Sequence, residues 1–166
     1  MEFKFEKFVL RKLKLTDKND YIKNINDADV LKLMGGEYPY NPEKFDKLFT
    51  SKNFISFAIE INNEVVGEVG LTILEKKIQN HIGVIGYWLA KRYWGDGIIT
   101  KAIKCVCDYA FKEIKLKKIT TEVFTENIAS IRVLEKNNFT CEGILKKHAF
   151  KNNKFYDIAY YSKFYE

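Results

Sequence analysis

The stretch GYWLAKRYWGDGIITKAI, residues 86–103, joins two different patterns of hydrophobicity. Residues 81–90 form an apolar run of strand length, and after Gly97 the apolar residues recur at helical spacing. Gly95 and Gly97 therefore lie at a predicted strand-to-helix turn. Glycines at such a turn let backbone N–H groups converge at the positive end of the helix dipole, where a phosphate is favoured. We predict an anion site over residues 92–97, with Arg92 adding a charged contact.

Other phosphate-binding turns fit this stretch less well. A Walker loop needs Gly-Lys-Ser/Thr after its glycines, and here Ile98-Ile99 follows Gly97, which excludes that loop. A dinucleotide fingerprint needs Gly or Ala at the position of Thr100, and it would begin a βαβ series. For two glycines taken alone, a tight turn that binds nothing is also an alternative.

The first third of the chain reads as a strand followed by short helices. FKFEKFVLRKL alternates like one strand, Thr16 is a candidate cap for a helix over residues 17–26, and DADVLKLM has a helical pattern. Asn41-Pro42 predicts another helix that runs to about residue 51. FISFAIEI, Asn62-Asn63 and EVVGEVGLTIL then predict a β-hairpin.

The second half predicts a parallel crossover. The inward face of the helix after Gly97 is predicted to consist of Ile99, Ala102, Ile103, Val106, Ala110 and Ile114. KKITTEVF reads as the next strand, and a helix from Asn127 to Asn137 turns Ile128, Ile131 and Leu134 inward. A hairpin about Asn152-Asn153 ends the chain. A strand, a helix and a neighbouring strand imply one parallel pair in an otherwise antiparallel sheet.

Composition limits the class of protein. The chain has 166 residues, 46% of them hydrophobic, which suits a single domain over residues 1–166. The net charge is +6, but the lysines are scattered, so we expect no specific nucleic acid. No window is long and apolar enough for a membrane span. We expect a cytoplasmic protein without a membrane partner, either a monomer or a homodimer.

The three cysteines cannot all pair with one another. Cys105, Cys107 and Cys141 also lack the spacing and the nearby histidine of a zinc site. We therefore expect buried, reduced thiols and no metal site.

Two motifs together resemble the GNAT N-acetyltransferase superfamily. Arg92-x-x-Gly95-x-Gly97 resembles its acetyl-CoA-binding pattern, and TENIASIRVLEKNNFTCEGIL resembles the second signature of the branch that acetylates ribosomal-protein N-termini. The motifs stand in the expected order about thirty residues apart, and weaker similarity covers about residues 8–165. The resemblance implies an α/β fold: a twisted, mostly antiparallel sheet, flanked by helices, with a central parallel strand pair splayed open. Acetyl-CoA would lie in that split, with CoA as a product.

The resemblance also implies roles for particular residues. The backbone near Leu89 and Ala90 would bind the pantetheine arm, the turn would bind the pyrophosphate, and Leu89 would contact the oxyanion. Ser130 would assist the departing thiolate. The predicted cofactor-binding residues are Leu89, Ala90, Arg92, Tyr93, Trp94, Gly95, Asp96, Gly97, Ile98, Asn127 and Ser130. The alternatives are an ordinary N-cap for Asn127 and a surface helix position for Ser130.

The general base is left unassigned by the sequence. Leu134 stands where many GNAT enzymes have a tyrosine acid, and Ala149 stands where ribosomal-protein enzymes can have a carboxylate. His148 is expected to point to the opposite face of the sheet. Glu68 and Glu142 are other candidates, each better explained as a solvated strand residue or a structural partner.

A primary amine is the expected acceptor. At pH 7 the free energy needed to deprotonate an α-amine is about 1 to 1.4 kcal/mol, and for a lysine amine it is about 4.6 kcal/mol. An N-terminal α-amine can therefore react with the help of a weaker base than a lysine needs. The alternatives are a small amine, such as a polyamine or an aminoglycoside, and a non-catalytic CoA-binding relative. The residues expected to line a mouth for a cationic amine are Asp27, Asp29, Glu37, Tyr38 and Tyr40.

Overall fold

The strands of this chain form one mixed sheet. The computed structural model describes residues 2–165, so Met1 and Glu166, the two ends of the predicted domain, lie outside the described residues. Within residues 2–165 eight strands follow the order β1-β2-β3-β4-β5-β6-β8-β7. Their bounds are β1 Glu2–Lys4, β2 Val9–Lys12, β3 Phe54–Ile61, β4 Glu64–Ile73, β5 Ile82–Leu89, β6 Lys118–Phe124, β7 Thr140–Lys151 and β8 Lys154–Phe164. The predicted α/β fold class is confirmed.

Helices cover both faces of this sheet. The helices are α1 Lys18–Ile25, α2 Ala28–Leu33, α3 Glu43–Lys47, α4 Ile98–Lys112 and α5 Ile128–Lys136. One hydrophobic core packs α4 and α5 against the sheet, and a second packs α1, α2 and α3 against the other face. Successive strand residues alternate between these cores, so Leu89 belongs to the first and Trp88 to the second.

The sheet is split where its one parallel pair ends. β5 and β6 pair only through Ile82–Lys118, Gly83–Ile119 and Val84–Thr120 within the described chain, whereas the other neighbouring strands are antiparallel. On the opposite side of β5, the Ala90 N–H donates to the Val66 carbonyl at 2.7 Å. Along an antiparallel strand, the backbone N–H and C=O groups of successive residues point alternately towards and away from the paired strand. Because those of Ala90 point towards β4, the N–H and C=O groups of Tyr87 and Leu89 point away from β4, into the split.

The N-terminal third differs from expectation in three details. The predicted first strand is a pair, β1 and β2, which are antiparallel to each other. Thr16 does not cap α1; the Asp17 carboxylate instead accepts from the Lys14 N–H and binds Arg11. Asn41 does accept from the Glu43 N–H, but the helix that follows ends at Lys47.

The inward faces of the later helices agree with the prediction at most positions. In α4 Ala102, Ile103, Val106 and Ala110 are buried as predicted, and Ile99 is half-buried against the same core. The buried set also includes Ile98, Cys107 and Phe111, which the prediction left out. In α5 Leu134 is fully buried as predicted, but Ile128 is 52% exposed, because it occupies the first helical position beside the cap. Of the three thiols expected to be buried, Cys107 is buried, Cys105 is half-buried, and Cys141 is exposed on β7, where the expectation is wrong.

The edge strand β7 is long, exposed and irregular. It has 12 residues, most of them exposed, and it pairs only with β8 among the described strands. The register shifts between Cys141 and Gly143 and again between Leu145 and Ala149. Within the second irregularity Lys147 has a positive φ of 51°, and its N–H donates to the Asp157 carboxylate. The alternation of side chains along β7 is broken there.

Candidate active site

A cavity of about 830 Å³ occupies the split between β5 and β6. Its walls come from both strands, from the first turn of α4, from α5, and from α2 on the other face of the sheet. The cavity therefore passes through the sheet and can be approached from either face. Within residues 2–165 no group of His, Cys, Asp and Glu suits a metal ion, and no helix has the length and apolarity of a membrane span.

The glycine turn forms one end of this cavity. Gly95 and Gly97 have positive φ angles of 87° and 72°, a conformation that favours glycine, and α4 begins at the next residue, Ile98. In the described part of the chain, no acceptor is present for the backbone N–H groups of Gly95, Asp96, Gly97 and Ile98. A Cβ added to either glycine would meet nothing within 4 Å. The turn thus combines free donors, a helix N-terminus and open space, which suits a pyrophosphate.

Most of the predicted cofactor-binding residues line this cavity. Those that do are Leu89, Tyr93, Trp94, Gly95, Gly97, Ile98, Asn127 and Ser130. Ala90, Arg92 and Asp96 are not among the lining residues of the described chain.

The three exceptions have other partners. The Arg92 guanidinium donates to Asn24 at 2.7 Å and lies 3.0 Å from the Glu64 carboxylate. Asp96 lies 3.9 Å from Lys7, and the N–H of Ala90 is used by Val66. The predicted cofactor contacts of Arg92, Asp96 and the backbone at Ala90 stay predictions, and each of these groups would have to keep or exchange its present partner to make them.

The end of β5 presents a free amide to the cavity. The Leu89 carbonyl accepts from the Trp94 indole N–H at 2.7 Å, which fixes the strand against the turn. The Leu89 N–H points into the split, as the ladder with β4 requires. This direction suits the predicted oxyanion contact.

Helix α5 brings Ser130 to the other wall. Asn127 caps the helix, since its Oδ1 accepts from the Ser130 N–H at 3.1 Å, and it lines the cavity as well. The Ser130 hydroxyl is hydrogen-bonded to the Tyr87 hydroxyl at 2.5 Å. Burial raises the pKa of Tyr87 to about 12, so this phenol is protonated at neutral pH. Tyr87 was not among the predicted site residues; the signal for it was its place on β5, two residues before Leu89.

Two cations on α5 also line the cavity, and neither was predicted from the sequence. Arg132 and Lys136 are four residues apart on one helical face, and in the part of the chain described neither has an acidic partner. The following residue, Asn137, donates to the Thr100 carbonyl at 3.2 Å. This bond holds the C-terminal end of α5 beside the first turn of α4. Helix α5 therefore runs from Tyr87 towards the glycine turn.

The candidate bases occupy different environments. Glu142 is paired with Lys118 at 2.7 Å and accepts from Ser162, so it is a structural partner. His148 and Ala149 both line the cavity, contrary to the expected alternation, because the irregularity in β7 lies between Leu145 and Ala149.

Glu68 is a buried polar residue on the side of the sheet that faces α1. It is 6% exposed, so the interpretation of a solvated strand residue is wrong. Its carboxyl group accepts from Tyr21 and Ser56, each at 2.5 Å, and from the Trp88 indole at 3.2 Å. Burial raises the pKa of Glu68. Glu68 does not line the cavity in the described chain, so its role is to hold Trp88 and α1 in place.

The buried carboxyl predicts a pH-dependent stability. A carboxyl group whose pKa is raised by folding is destabilising when ionised, and this penalty appears as the pH rises from the ordinary value of 4.5 through the folded value. Glu68→Gln removes the titrating group, so the variant's free energy of unfolding minus that of the wild type should increase from pH 5 to pH 8. Urea unfolding of both proteins at the two pH values measures this difference, and Glu113→Gln, a change at an exposed residue, is the control. A difference that falls or stays constant with pH contradicts this prediction.

The predicted acidic mouth is not part of the cavity. Asp27 caps α2 and Asp29 pairs with Lys91 at 2.6 Å, and none of Asp27, Asp29, Glu37, Tyr38 and Tyr40 is a lining residue in residues 2–165. Helix α2 instead lines the cavity with Val30, Leu33 and Met34. The α2 wall of the cavity is therefore apolar, because the carboxylates of Asp27 and Asp29 serve a cap and an ion pair.

Comparisons of the sequence agree with this geometry. Residues 7–140 match the family described as the acetyltransferase (GNAT) domain. Among curated proteins, the chain is 33% identical over 122 residues to YoaA of Bacillus subtilis, an uncharacterized N-acetyltransferase, covering 72% of this chain and 68% of that protein.

Solved structures show the same fold. Ribosomal-protein-S5-alanine acetyltransferase from Vibrio fischeri superposes with a TM-score of 0.85 at 24% identity, covering 99% of this chain and 96% of that one. Spermidine N-acetyltransferase from Vibrio cholerae, solved with CoA and spermine, gives a TM-score of 0.83 at 22% identity, covering 96% of each chain.

Proposed function

The chain belongs to the GNAT acetyltransferase family and is an acetyl-CoA-dependent N-acetyltransferase, and from this premise we propose that it acetylates the N-terminal α-amine of a protein or peptide. The observation that carries the proposal is the cavity through the split sheet, which has free backbone donors at one end and an apolar wall from α2 on the acceptor side. An N-terminal residue with a small or apolar side chain fits such a wall. An α-amine also requires only a weak base.

Particular groups would carry out the transfer. The N–H groups at the start of α4 bind phosphate oxygens, and the Leu89 N–H stabilises the charge that develops on the acetyl oxygen. The bound cofactor supplies a thioester whose acetyl group the amine takes. Because Tyr87 stays protonated, it can donate to the Ser130 oxygen, which leaves the Ser130 proton free for the departing sulfur.

The cations of α5 give a prediction about cofactor affinity. Replacing Arg132 and Lys136 together by alanine should weaken acetyl-CoA binding by about tenfold at low salt, because each removes a charge beside the phosphate end of the cavity. The loss should shrink at high ionic strength, where salt screens exposed charges. Calorimetric titration at two salt concentrations measures both effects.

Two controls separate this effect from a general loss of positive charge. Lys44 and Lys47 lie on α3 and do not line the cavity, so their double alanine variant should bind acetyl-CoA like wild type. Arg92→Ala should weaken binding less than the α5 double variant, since Arg92 is held by Asn24 and Glu64. If all three variants lose the same amount of acetyl-CoA affinity, the α5 cations make no specific contact with acetyl-CoA.

An acceptor panel tests the proposed function. Peptides with free N-termini, spermidine, spermine and an aminoglycoside are each supplied with acetyl-CoA, and the release of free CoA is followed. We expect the highest kcat/KM for a peptide α-amine, and lower values for the same peptide with a blocked N-terminus and one free lysine. Faster turnover of a polyamine would overturn the α-amine assignment and leave the acetyltransferase assignment intact.

A polyamine is the second candidate acceptor, because one structural neighbour is a spermidine N-acetyltransferase. The lining of the cavity favours it less, since a polycation is best held by several carboxylates. Among the described lining residues only Glu122 is acidic. We also propose a cytoplasmic location, in keeping with three cysteines that form no disulfide, and a monomer or a homodimer.

A further inference from the structure

Two residues before the glycine turn reach back to the helices on the acceptor side. Lys91 and Arg92 belong to a short 3₁₀ helix over residues 91–93, between the end of β5 and the turn. The Lys91 ammonium lies 2.6 Å from the Asp29 carboxylate, in the first turn of α2. The Arg92 guanidinium donates to the side chain of Asn24, near the end of α1, at 2.7 Å. The segment that leads into the turn is thus bonded to both α1 and α2.

The side chain that accepts from Arg92 is buried and oriented. Asn24 is 5% exposed, and its amide nitrogen donates to the Val65 carbonyl at 2.8 Å and to the Glu64 carboxylate at 3.0 Å. These two bonds fix the direction of the amide, so its oxygen is turned towards the guanidinium. The guanidinium also lies 3.0 Å from Glu64. Hydrogen bonds from Asn24 and Lys23 lower the pKa of Glu64 to about 2, so this carboxylate is ionised at neutral pH.

Helix α2 depends on its surroundings for its order. It has six residues, and isolated helices of this length are not stable in water. Val30 and Leu31 are buried, whereas Leu33 and Met34 are 37% and 44% exposed where they line the cavity. Residues 26–27 are the whole connection between α1 and α2. A bond that fixes the end of α1 or the first turn of α2 therefore also fixes the apolar wall of the cavity.

The glycine turn is the place where a bound cofactor would restrict this segment. Within the described chain the N–H groups of residues 95–98 have no hydrogen-bond acceptor, and glycine allows more backbone conformations than other residues. A bound pyrophosphate gives these donors partners and restricts the turn. Because Lys91 and Arg92 directly precede the turn, this restriction extends through their bonds to α1 and α2. An amine acceptor then meets an ordered wall and binds with a smaller loss of entropy.

We propose that Lys91 and Arg92 are positioning residues that couple the cofactor turn to the α2 wall of the acceptor site. Acetyl-CoA and the amine acceptor then each raise the affinity of the protein for the other, by the same factor. We expect a factor of about ten, near the low end for coupled sites, because the pair of Lys91 and Asp29 is exposed. This coupling rests on the proposed function, since α2 is taken there as the wall that meets the acceptor.

Hydrogen exchange in α2 tests the coupling without any amine acceptor. The reporters are the N–H groups of Leu31 and Met34, which donate to the carbonyls of Asp27 and Val30. CoA is the probe, at saturating concentration for each protein. We expect CoA to slow the exchange of both reporters by about tenfold in the wild type. In the Lys91→Ala/Arg92→Ala variant we expect CoA to leave the exchange nearly unchanged. A merely structural role would speed the exchange with and without CoA and keep the ratio.

A control and a charge exchange assign the effect to the two bonds. Lys23 pairs with the same Glu64 carboxylate at 3.0 Å, but Lys23→Ala leaves the bonds of Lys91 and Arg92 in place, so it should keep the wild-type exchange ratio. Lys91→Asp and Asp29→Lys should each lower the ratio. The double variant, in which the two charges are exchanged, should restore most of it. Equal ratios in the wild type and the Lys91→Ala/Arg92→Ala variant overturn the proposal, as does bound CoA without any effect on α2 in the wild type.

Kinetics with the best peptide of the acceptor panel separate this coupling from the proposed function. At saturating acetyl-CoA, the Lys91→Ala/Arg92→Ala variant should raise KM for the peptide by about tenfold and change kcat little, since neither residue is among the described lining residues of the cavity. If a polyamine is the better substrate, the α-amine assignment fails, and a lost exchange ratio still supports the coupling. If the variant turns over the peptide with wild-type KM, the positioning role fails and the α-amine assignment stands.

Discussion

Alanine at position 130 should lower kcat by about 100-fold while leaving acetyl-CoA affinity nearly unchanged, because a proton donor to the leaving group acts only when the C–S bond is breaking. The Ser130 hydroxyl is hydrogen-bonded to Tyr87 and lines the cavity. We expect the low end of the range for such donors, since water can enter an open split and substitute in part. Steady-state kinetics and calorimetric titration of the same variant measure the two quantities.

Tyr87→Phe serves as the comparison for Ser130→Ala. It removes the hydroxyl that orients Ser130 but leaves the Ser130 proton available, so its loss in kcat should be smaller. If Ser130→Ala weakens acetyl-CoA binding in step with the fall in kcat/KM, the serine is a ground-state contact with the cofactor. The role at the leaving group then passes to water or to Tyr87.

Valine at position 97 should weaken acetyl-CoA binding by about tenfold or more, since it disturbs the turn in two ways. Gly97 has a φ of 72°, which a β-branched residue adopts only with strain. Its Cβ position is open space beside the free N–H groups, so the valine side chain would occupy the place predicted for the pyrophosphate. Calorimetric titration gives the affinity, and thermal unfolding gives the contribution of strain.

A matched variant separates strain from obstruction. Lys115 has a similar φ of 66°, is exposed, and lies outside the lining set of the cavity within residues 2–165. Lys115→Val should therefore lower the thermal stability, by less than Gly97→Val because lysine already bears part of the cost of a positive φ, and leave acetyl-CoA affinity unchanged. A folded Gly97→Val protein with wild-type affinity would remove the glycine turn from the cofactor site.

The architecture was predictable where periodicity and turn residues agree. The hairpin about Asn62-Asn63 and the change of period after Gly97 predicted β3, β4, β5 and α4 with correct order and pairing. The faces of short or terminal helical turns were harder to predict. Ile128 looked inward by spacing, yet the first residue of a helix beside its cap faces solvent. Packing decided these positions, because local spacing alone does not specify which neighbour covers a side chain.

The candidate site was predictable only in part, because its two walls come from distant segments. Local sequence indicated the glycine turn, but it could not indicate that Arg92 would be held by Asn24 and Glu64, 28 or more residues away in the chain. The environment of Glu68 depends on Tyr21, from another element. The place of Glu122 in the lining of the cavity carried no local signal, since a polar residue in an alternating strand is usually a solvated one.

The irregular edge strand has a consequence for how copies of this chain meet one another. A long exposed edge offers unpaired N–H and C=O groups as a template for another strand, and this is how many β-sheets aggregate. In β7 the register is broken between Leu145 and Ala149, where Lys147 places a positive charge and Lys146 forms an ion pair with Asp157. An approaching strand would have to match a bulge and bury charge, so edge-to-edge growth is blocked near the middle of β7. Protection against aggregation thus depends on the same short segment that turns His148 towards the cavity.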